Sequence, residues 1–200
     1  MRVSKEKSAE NREALLAAAS RLFREKGIDG VGVAEVAKEA GLTHGALYAH
    51  FPSKDMLAAE AFSHAFARRM AGAHAWTGDR HPSFEKYLDR LISRPMRDDL
   101  ATGCPLTASA SEVGRQGPAL SRNFAQAFEE EVAMLIGAIG DTMTPQARRQ
   151  LAVASIAAQI GAMAVARAVA KTDAALSDEV LQATRDVIAG ARGTMHDRQP

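Results

Sequence analysis

Cysteine is almost absent from this sequence, with Cys104 the single thiol among 200 residues. One cysteine excludes an intramolecular disulfide framework and a paired-thiol zinc site, and it suits a reducing cytoplasm. Aromatic residues are scarce too, at 5% against 46% hydrophobic overall. Alanine therefore supplies much of the apolar surface, which favours closely packed helices over sheets. Neither charge dominates. A net charge of +1 lacks the basic excess of a non-specific nucleic-acid binder, so any DNA contact depends on where individual side chains sit. A long uninterrupted apolar run is also missing. Met1 to Glu13 is polar where a signal peptide needs an apolar segment, and Gln159 and Arg167 interrupt Leu151 to Ala170. The latter stretch predicts a buried helix and no membrane contact.

What is present repeats at helical spacing throughout. Leu15, Leu16, Ala19, Leu22 and Phe23 predict a first helix from about Asn11, stopped by Gly27 and Gly30. Val33, Val36, Ala37 and Ala40 predict a short second helix closed by Gly41, and Thr43 is a good N-cap for a third that Pro52 ends after about two turns. A fourth helix from near Ser53 carries the ridge Ala58, Phe62, Phe66, Met70, after which Gly72 to Pro82 reads as a loop. Phe84 to Ile92 predicts a helix limited by Pro95. Pro105, Pro118 and Pro145 each stand at a first helical position, and Ser177-Asp178-Glu179 opens a last helix. Met1 to Ser8 and Arg192 to Pro200 read as irregular ends.

Two short helices joined by Ala40-Gly41-Leu42-Thr43 have the size and turn chemistry of a helix-turn-helix, whose second helix can enter the major groove of DNA. Small residues at the start of that second helix let its backbone approach closely. The stretch from Val33 to Asp55, VAEVAKEAGLTHGALYAHFPSKD, resembles the N-terminal signature of the TetR family of bacterial regulators almost throughout. The resemblance implies an all-α chain, with a three-helix helix-turn-helix DNA-binding domain over 1–55 and a helical effector-binding and dimerisation domain over 56–200. It places Thr43, His44, Gly45 and Ala46 at base edges or adjacent phosphates, gives Tyr48, His50 and Lys54 to the phosphate backbone, and counts Val33 among the DNA-binding residues. The chemistry agrees: Tyr48 offers a hydroxyl, and Lys54 adds its charge to a positive helix N-terminus. Gly32 departs from the pattern, because the family usually places Thr or Ser there to cap the second helix and touch a phosphate. Read without the resemblance, His44 and His50 are two solvated histidines; their six-residue separation suits no paired metal ligation.

The same resemblance implies a C-terminal ligand pocket and a homodimer on a palindromic double-stranded operator. Close helix approach is available at Ala154, Ala158, Gly161, Ala162 and Val165, with Leu181, Thr184 and Ile188 on the last helix. Trp76, Phe84, Tyr87, Met96, Phe124 and Phe128 can line an apolar effector site, with Arg94, Arg97 or Arg115 available to an anionic group. Gly103-Cys104-Pro105 puts the thiol at a predicted helix N-terminus, which favours thiolate, so Cys104 is either an electrophile or oxidant sensor or a small buried hydrophobe. The expected function is a cytoplasmic repressor released by an unknown small-molecule effector. No nucleophile-elbow, phosphate-loop or metal motif points to an enzyme or a cofactor. The remaining alternative is a helical protein-interaction module.

Overall fold

The computed structural model describes the backbone of residues 4–77, 82–141 and 143–197, and the side chains of 4–72, 82–141 and 143–193. Within them the chain is all helical: α1 Lys5–Lys26, α2 Val33–Glu39, α3 His44–His50, α4 Lys54–Thr77, α5 Phe84–Leu91, α6 Arg94–Asp98, α7 Pro105–Val113, α8 Pro118–Ile139, α9 Pro145–Val169 and α10 Ala174–Asp197. The helix starts follow local chemistry. The hydroxyls of Ser4, Thr43, Ser83, Ser93 and Thr144 each accept a backbone N–H three residues on, satisfying donors that the first turn leaves unpaired. Pro105, Pro118 and Pro145 are the first residues of α7, α8 and α9, as expected.

Several boundaries differ from the sequence expectation. α4 continues to Thr77 through Gly72; one helical glycine costs about 1 kcal/mol relative to alanine, and the alanines around it keep the helix going. Pro95 opens α6, behind the Ser93 cap, where it was expected only to stop α5. α10 begins three residues early, with Asp173 Oδ1 accepting the Leu176 N–H at 2.9 Å. Ser177, expected to open that helix, is buried instead, and its hydroxyl donates to the Ala166 carbonyl at 2.9 Å, tying α10 to α9. Both ends are helical further out than expected, from Lys5 and to Asp197. α9 is buried along one face only: Leu151, Ala152, Ile156, Gln159 and Met163 point inward, while Ala154, Ala157, Gly161, Ala164 and Val165 are exposed. By length and composition it is the one helix among the described residues that could cross a membrane.

The packing forms two cores. The first joins α1 to α4 with Cys104, Leu106, Val113, Leu120 and Ala127, and the second joins α5, the later part of α8, α9 and α10. Met96, Phe128 and Ile160 touch both. The first core runs past residue 55, so a division into 1–55 and 56–200 is one of role rather than of packing. α7 locks the two parts together: Glu112 Oε2 accepts the Ile28 N–H at 3.2 Å, and Gln116 Nε2 donates to Asp29 at 3.1 Å. A side chain at Gly27 (φ 79°) would run into that Glu112 carboxylate.

Candidate nucleic-acid interface

The α2-turn-α3 unit is held from inside and clamped from one side. Val36, Ala37, Leu47 and Phe51 are all at most 1% exposed, which fixes the depth and rotation of both short helices. Gly41 at φ 69° makes the turn, a conformation that favours glycine, and it lets the Leu42 N–H reach the Ala37 carbonyl at 2.9 Å. Lys26 Nζ donates to Glu35 at 2.6 Å, and Arg21 pairs with Glu39, so α1 holds α2 at two points. The Glu35 carboxylate hydrogen-bonds the Lys26 ammonium and raises its pKa above the ordinary lysine range. These pairs are exposed, so they orient more than they stabilise. Arg12 of α1 lies 5.0 Å over the Phe51 ring and pairs with Glu60 of α4, closing the far end.

With Leu47 and Phe51 inward, Thr43, His44, Gly45 and Tyr48 are exposed, while Ala46, His50, Lys54 and Val33 are half-buried. The Thr43 hydroxyl accepts the Ala46 N–H at 3.2 Å, leaving its own proton free to donate. The His44 and Tyr48 rings, one helical turn apart, meet edge to face at 5.0 Å, restricting both side chains on the open face. Ser53 Oγ accepts the Met56 N–H at 3.2 Å and opens α4 beside Lys54. Gly32 caps α2 through its backbone alone. Sequence reasoning passed over Lys38, exposed in the last turn of α2 with no ion-pair partner among the described residues. Its place on the polar face just before the turn was the available signal.

The residues expected to receive an effector sit differently. Phe84, Tyr87 and Cys104 are at most 5% exposed and belong to the cores, and Phe124 packs on Phe62 with ring centroids 5.8 Å apart. Phe128 is half-buried between the two cores. The Trp76 side chain lies outside the described residues. Tyr87 serves a buried polar cluster: its hydroxyl donates to Glu131 at 2.6 Å, and Arg69 donates to both Glu131 oxygens at 3.1 and 2.8 Å. Glu131 is fully buried. Burial first, then the Glu131 charge, holds the Tyr87 phenol well above its ordinary range. Arg94 and Arg97, expected to be available to an anion, are both paired with Asp178. The Arg115 guanidinium donates to the Ser111 carbonyl at 2.8 Å. Of the residues expected at a dimer interface, Ala154, Gly161 and Val165 are exposed and Ala158 and Thr184 half-buried. Ala162, Leu181 and Ile188 are buried within the chain itself, because α10 turns that stripe against α9 and α5.

A short helix pinned by two apolar anchors, presenting small and polar residues after a glycine turn, defines the class of helix-turn-helix regulatory proteins. Residues 15–61 match the family model described as bacterial regulatory proteins, tetR family. The HTH-type transcriptional regulator LmrA of Bacillus subtilis is 29% identical over 125 residues, covering 60% of this chain and 66% of that protein. The HTH-type transcriptional repressor BepR of Brucella suis is 46% identical over 54 residues, 27% of this chain and 26% of its own length. The chain thus spans less than two thirds of these curated relatives. Among solved structures, a TetR transcriptional regulator from Chloroflexus aurantiacus superimposes with a TM-score of 0.71 at 26% identity, covering 92% of this chain and 95% of that one. One from Legionella pneumophila, at 19% identity, shares the fold with a TM-score of 0.73 over 95% and 98%. Residues 15–61 thus match the helix-turn-helix segment of the TetR family, and the fold is the one that the TetR-family structures share.

Proposed function

We propose that the protein is a DNA-binding transcription regulator, a homodimer that holds a palindromic operator in the cytoplasm and represses until a small-molecule effector releases it. The observation that carries this reading is the open face of α3, with Thr43 to Gly45 and Tyr48 outward, Ala46 half-buried, and Leu47 and Phe51 locked beneath. His44, Gly45 and Ala46 would meet base edges, Val33 would lie beside them, and Thr43, Tyr48, His50, Lys54 and Lys38 would hold phosphates. Repression is favoured by the similarity to BepR, a transcriptional repressor. Dimerisation is supported by the outward stripe of Ala154, Ala158, Gly161 and Val165 on α9 beside Val187 on α10, a valine left 73% exposed. In that arrangement Ala162, Leu181 and Ile188 support the interface from behind.

An effector received by the aromatic residues would have to enter from within the body, since Phe84, Tyr87 and Cys104 are covered. Cys104 caps α7, and α7 carries the Glu112 contact to the reading head, so a modified thiol would push on that contact. The test is selection of purified protein against random duplex DNA, followed by titration of the enriched site. An inverted repeat is expected, and the Tyr48→Ala, Lys54→Ala double variant should lose about one to two powers of ten in affinity with a salt slope shallower by about one. A folded wild-type protein that enriches nothing would refute the proposal and favour a helical interaction module.

A further inference from the structure

The α1–α4 junction contains a cleft of about 360 Å³ lined by Arg21, Arg24, His64, Arg68, Arg69 and the Ala101-Thr102 turn. Two of its four guanidinium groups are already matched. Arg21 holds Glu25 and Glu39, and Arg69 holds Glu131. His64 is engaged as well, with Nε2 2.7 Å from Glu13 and Nδ1 3.3 Å from Ser20 Oγ. Arg24 and Arg68 have no carboxylate within ion-pair distance among the described residues. Arg24 is half-buried and oriented, its Nε donating to the Ala101 carbonyl at 2.9 Å and its Nη2 to the same oxygen, which leaves the Nη1 side open, while Arg68 is exposed without any hydrogen-bond partner among the described residues. Asp99, whose charge acts on Arg24, accepts from the Thr102 N–H and hydroxyl at 2.7 and 2.5 Å. Burial foremost pulls the Arg24 pKa down and the Arg68 charge adds to it, against the opposing charges of Asp99 and Glu25, neither of which is in ion-pair contact with it. Two cations at a ready-made concavity, one of them partly removed from water, are an unfavourable arrangement that an anion relieves.

We propose that this cleft binds a compact oxyanion carrying two or more negative charges, gripped between Arg24 of α1 and Arg68 of α4. Guanidinium groups suit carboxylate and phosphate oxygens alike, by paired N–H donation. This goes deeper into the regulator reading and rests on it for its consequence: α1 supports the reading head and α4 joins that head to the body. An anion bridging the two helices sets the angle between them and alters operator affinity. Coupling is reciprocal, so operator DNA changes anion affinity by the same factor.

Citrate and inorganic phosphate are the probes, titrated calorimetrically into the full DNA-free chain at fixed ionic strength, with acetate as the monovalent comparison. The expected result is saturable binding of one anion per chain, with acetate at least about tenfold weaker and the Arg68→Ala variant weakened about tenfold at unchanged melting temperature. Lys54→Ala should bind like wild type, which separates the cleft from the DNA face. Binding of both anions supports a general oxyanion site; binding of citrate alone or phosphate alone supports the site and names its source. No saturable binding of either, or equal binding by Arg68→Ala, overturns the proposal. A protein that selects an inverted repeat yet binds neither anion loses only the cleft, and one that binds citrate through Arg68 but selects no DNA loses only the regulator reading.

Discussion

Around the α2-turn-α3 unit, polar side chains make short local contacts near the surface: Thr43 and Ser53 cap the helices that follow them, and Lys26 meets Glu35. In the body, a set of them is buried and reaches across the sequence. Glu131 of α8 joins Arg69 of α4 and Tyr87 of α5, and Gln159 of α9 donates to Thr107 of α7 at 3.0 Å. The difference separates two tasks. Exposed contacts are worth little individually and leave the outer face of α3 free for a partner. A buried charge cluster must be complete, because a member left behind in a low-dielectric core carries its whole desolvation cost. Stability therefore concentrates in the body and recognition in the head.

The sharpest way to break that contrast is Glu131→Ala. Arg69 and Tyr87 would lose their shared acceptor, and the expected loss is about 3–5 kcal/mol of folding free energy, read from urea unfolding. An Arg69→Met, Glu131→Leu double variant, which removes both charges, should recover part of it, and adding Tyr87→Phe, which removes the hydroxyl left without an acceptor, should recover more. If Glu131→Ala unfolds at the wild-type urea midpoint, the body does not depend on its buried charge. DNA affinity per folded molecule should stay unchanged in the double variant, since the cluster lies away from α3.

A smaller effect with a distinctive pH signature is expected for Tyr87→Phe. Loss of the hydrogen bond to a charged acceptor costs about 1.5–3 kcal/mol near neutral pH. The native phenol keeps its proton well above the ordinary tyrosine range, whereas the unfolded one releases it near pH 10. The folded-state pKa is the raised one, so the Tyr87 contribution is complete below about pH 10 and falls as pH rises beyond it. The stability difference between wild type and Tyr87→Phe should shrink between about pH 10 and 11. A difference constant across that range would mean that the Tyr87 proton is not held by Glu131.

The head was legible in the sequence because its determinants are local. A cap at Thr43, a glycine at 41, a proline at 52 and two anchors one turn apart all fall within one short stretch, and α3 forms as they dictate. In the body the controlling contacts are remote. Arg94 and Arg97 looked free, but their partner Asp178 lies more than eighty residues on. Phe84 and Tyr87 looked like pocket walls until α8 and α10 closed over them. Glu131 was readable in principle: it is in phase with Phe124, Phe128 and Leu135 on the apolar stripe of α8, while Glu129 and Glu130 beside it are exposed. A carboxylate in register with a core face signals a buried partner, though not which one. The α10 start was misplaced for a related reason, since Ser177 has a cap's chemistry but is held inside by Ala166.

The smallest effect tests the head at Gly32, where it departs from the TetR-family pattern it resembles. Gly32 caps α2 without a side chain, and its carbonyl accepts the Glu35 and Val36 N–H groups at 3.0 and 3.2 Å. Its φ of −84° and ψ of 149° suit any residue, and an added Cβ would meet nothing within 4 Å. Gly32→Ser should therefore fold without strain and let a hydroxyl accept one of the unpaired N–H groups of the first turn, a gain of a few tenths of a kcal/mol. The same hydroxyl keeps its proton for a DNA phosphate, so affinity for the selected operator should rise by up to about fivefold. A variant that gains stability but no affinity would place the phosphate backbone away from the start of α2 and leave phosphate binding to Tyr48, Lys54 and Lys38. A variant that gains affinity would mean that the glycine holds operator binding weaker than the fold allows, with the start of α2 already facing the DNA.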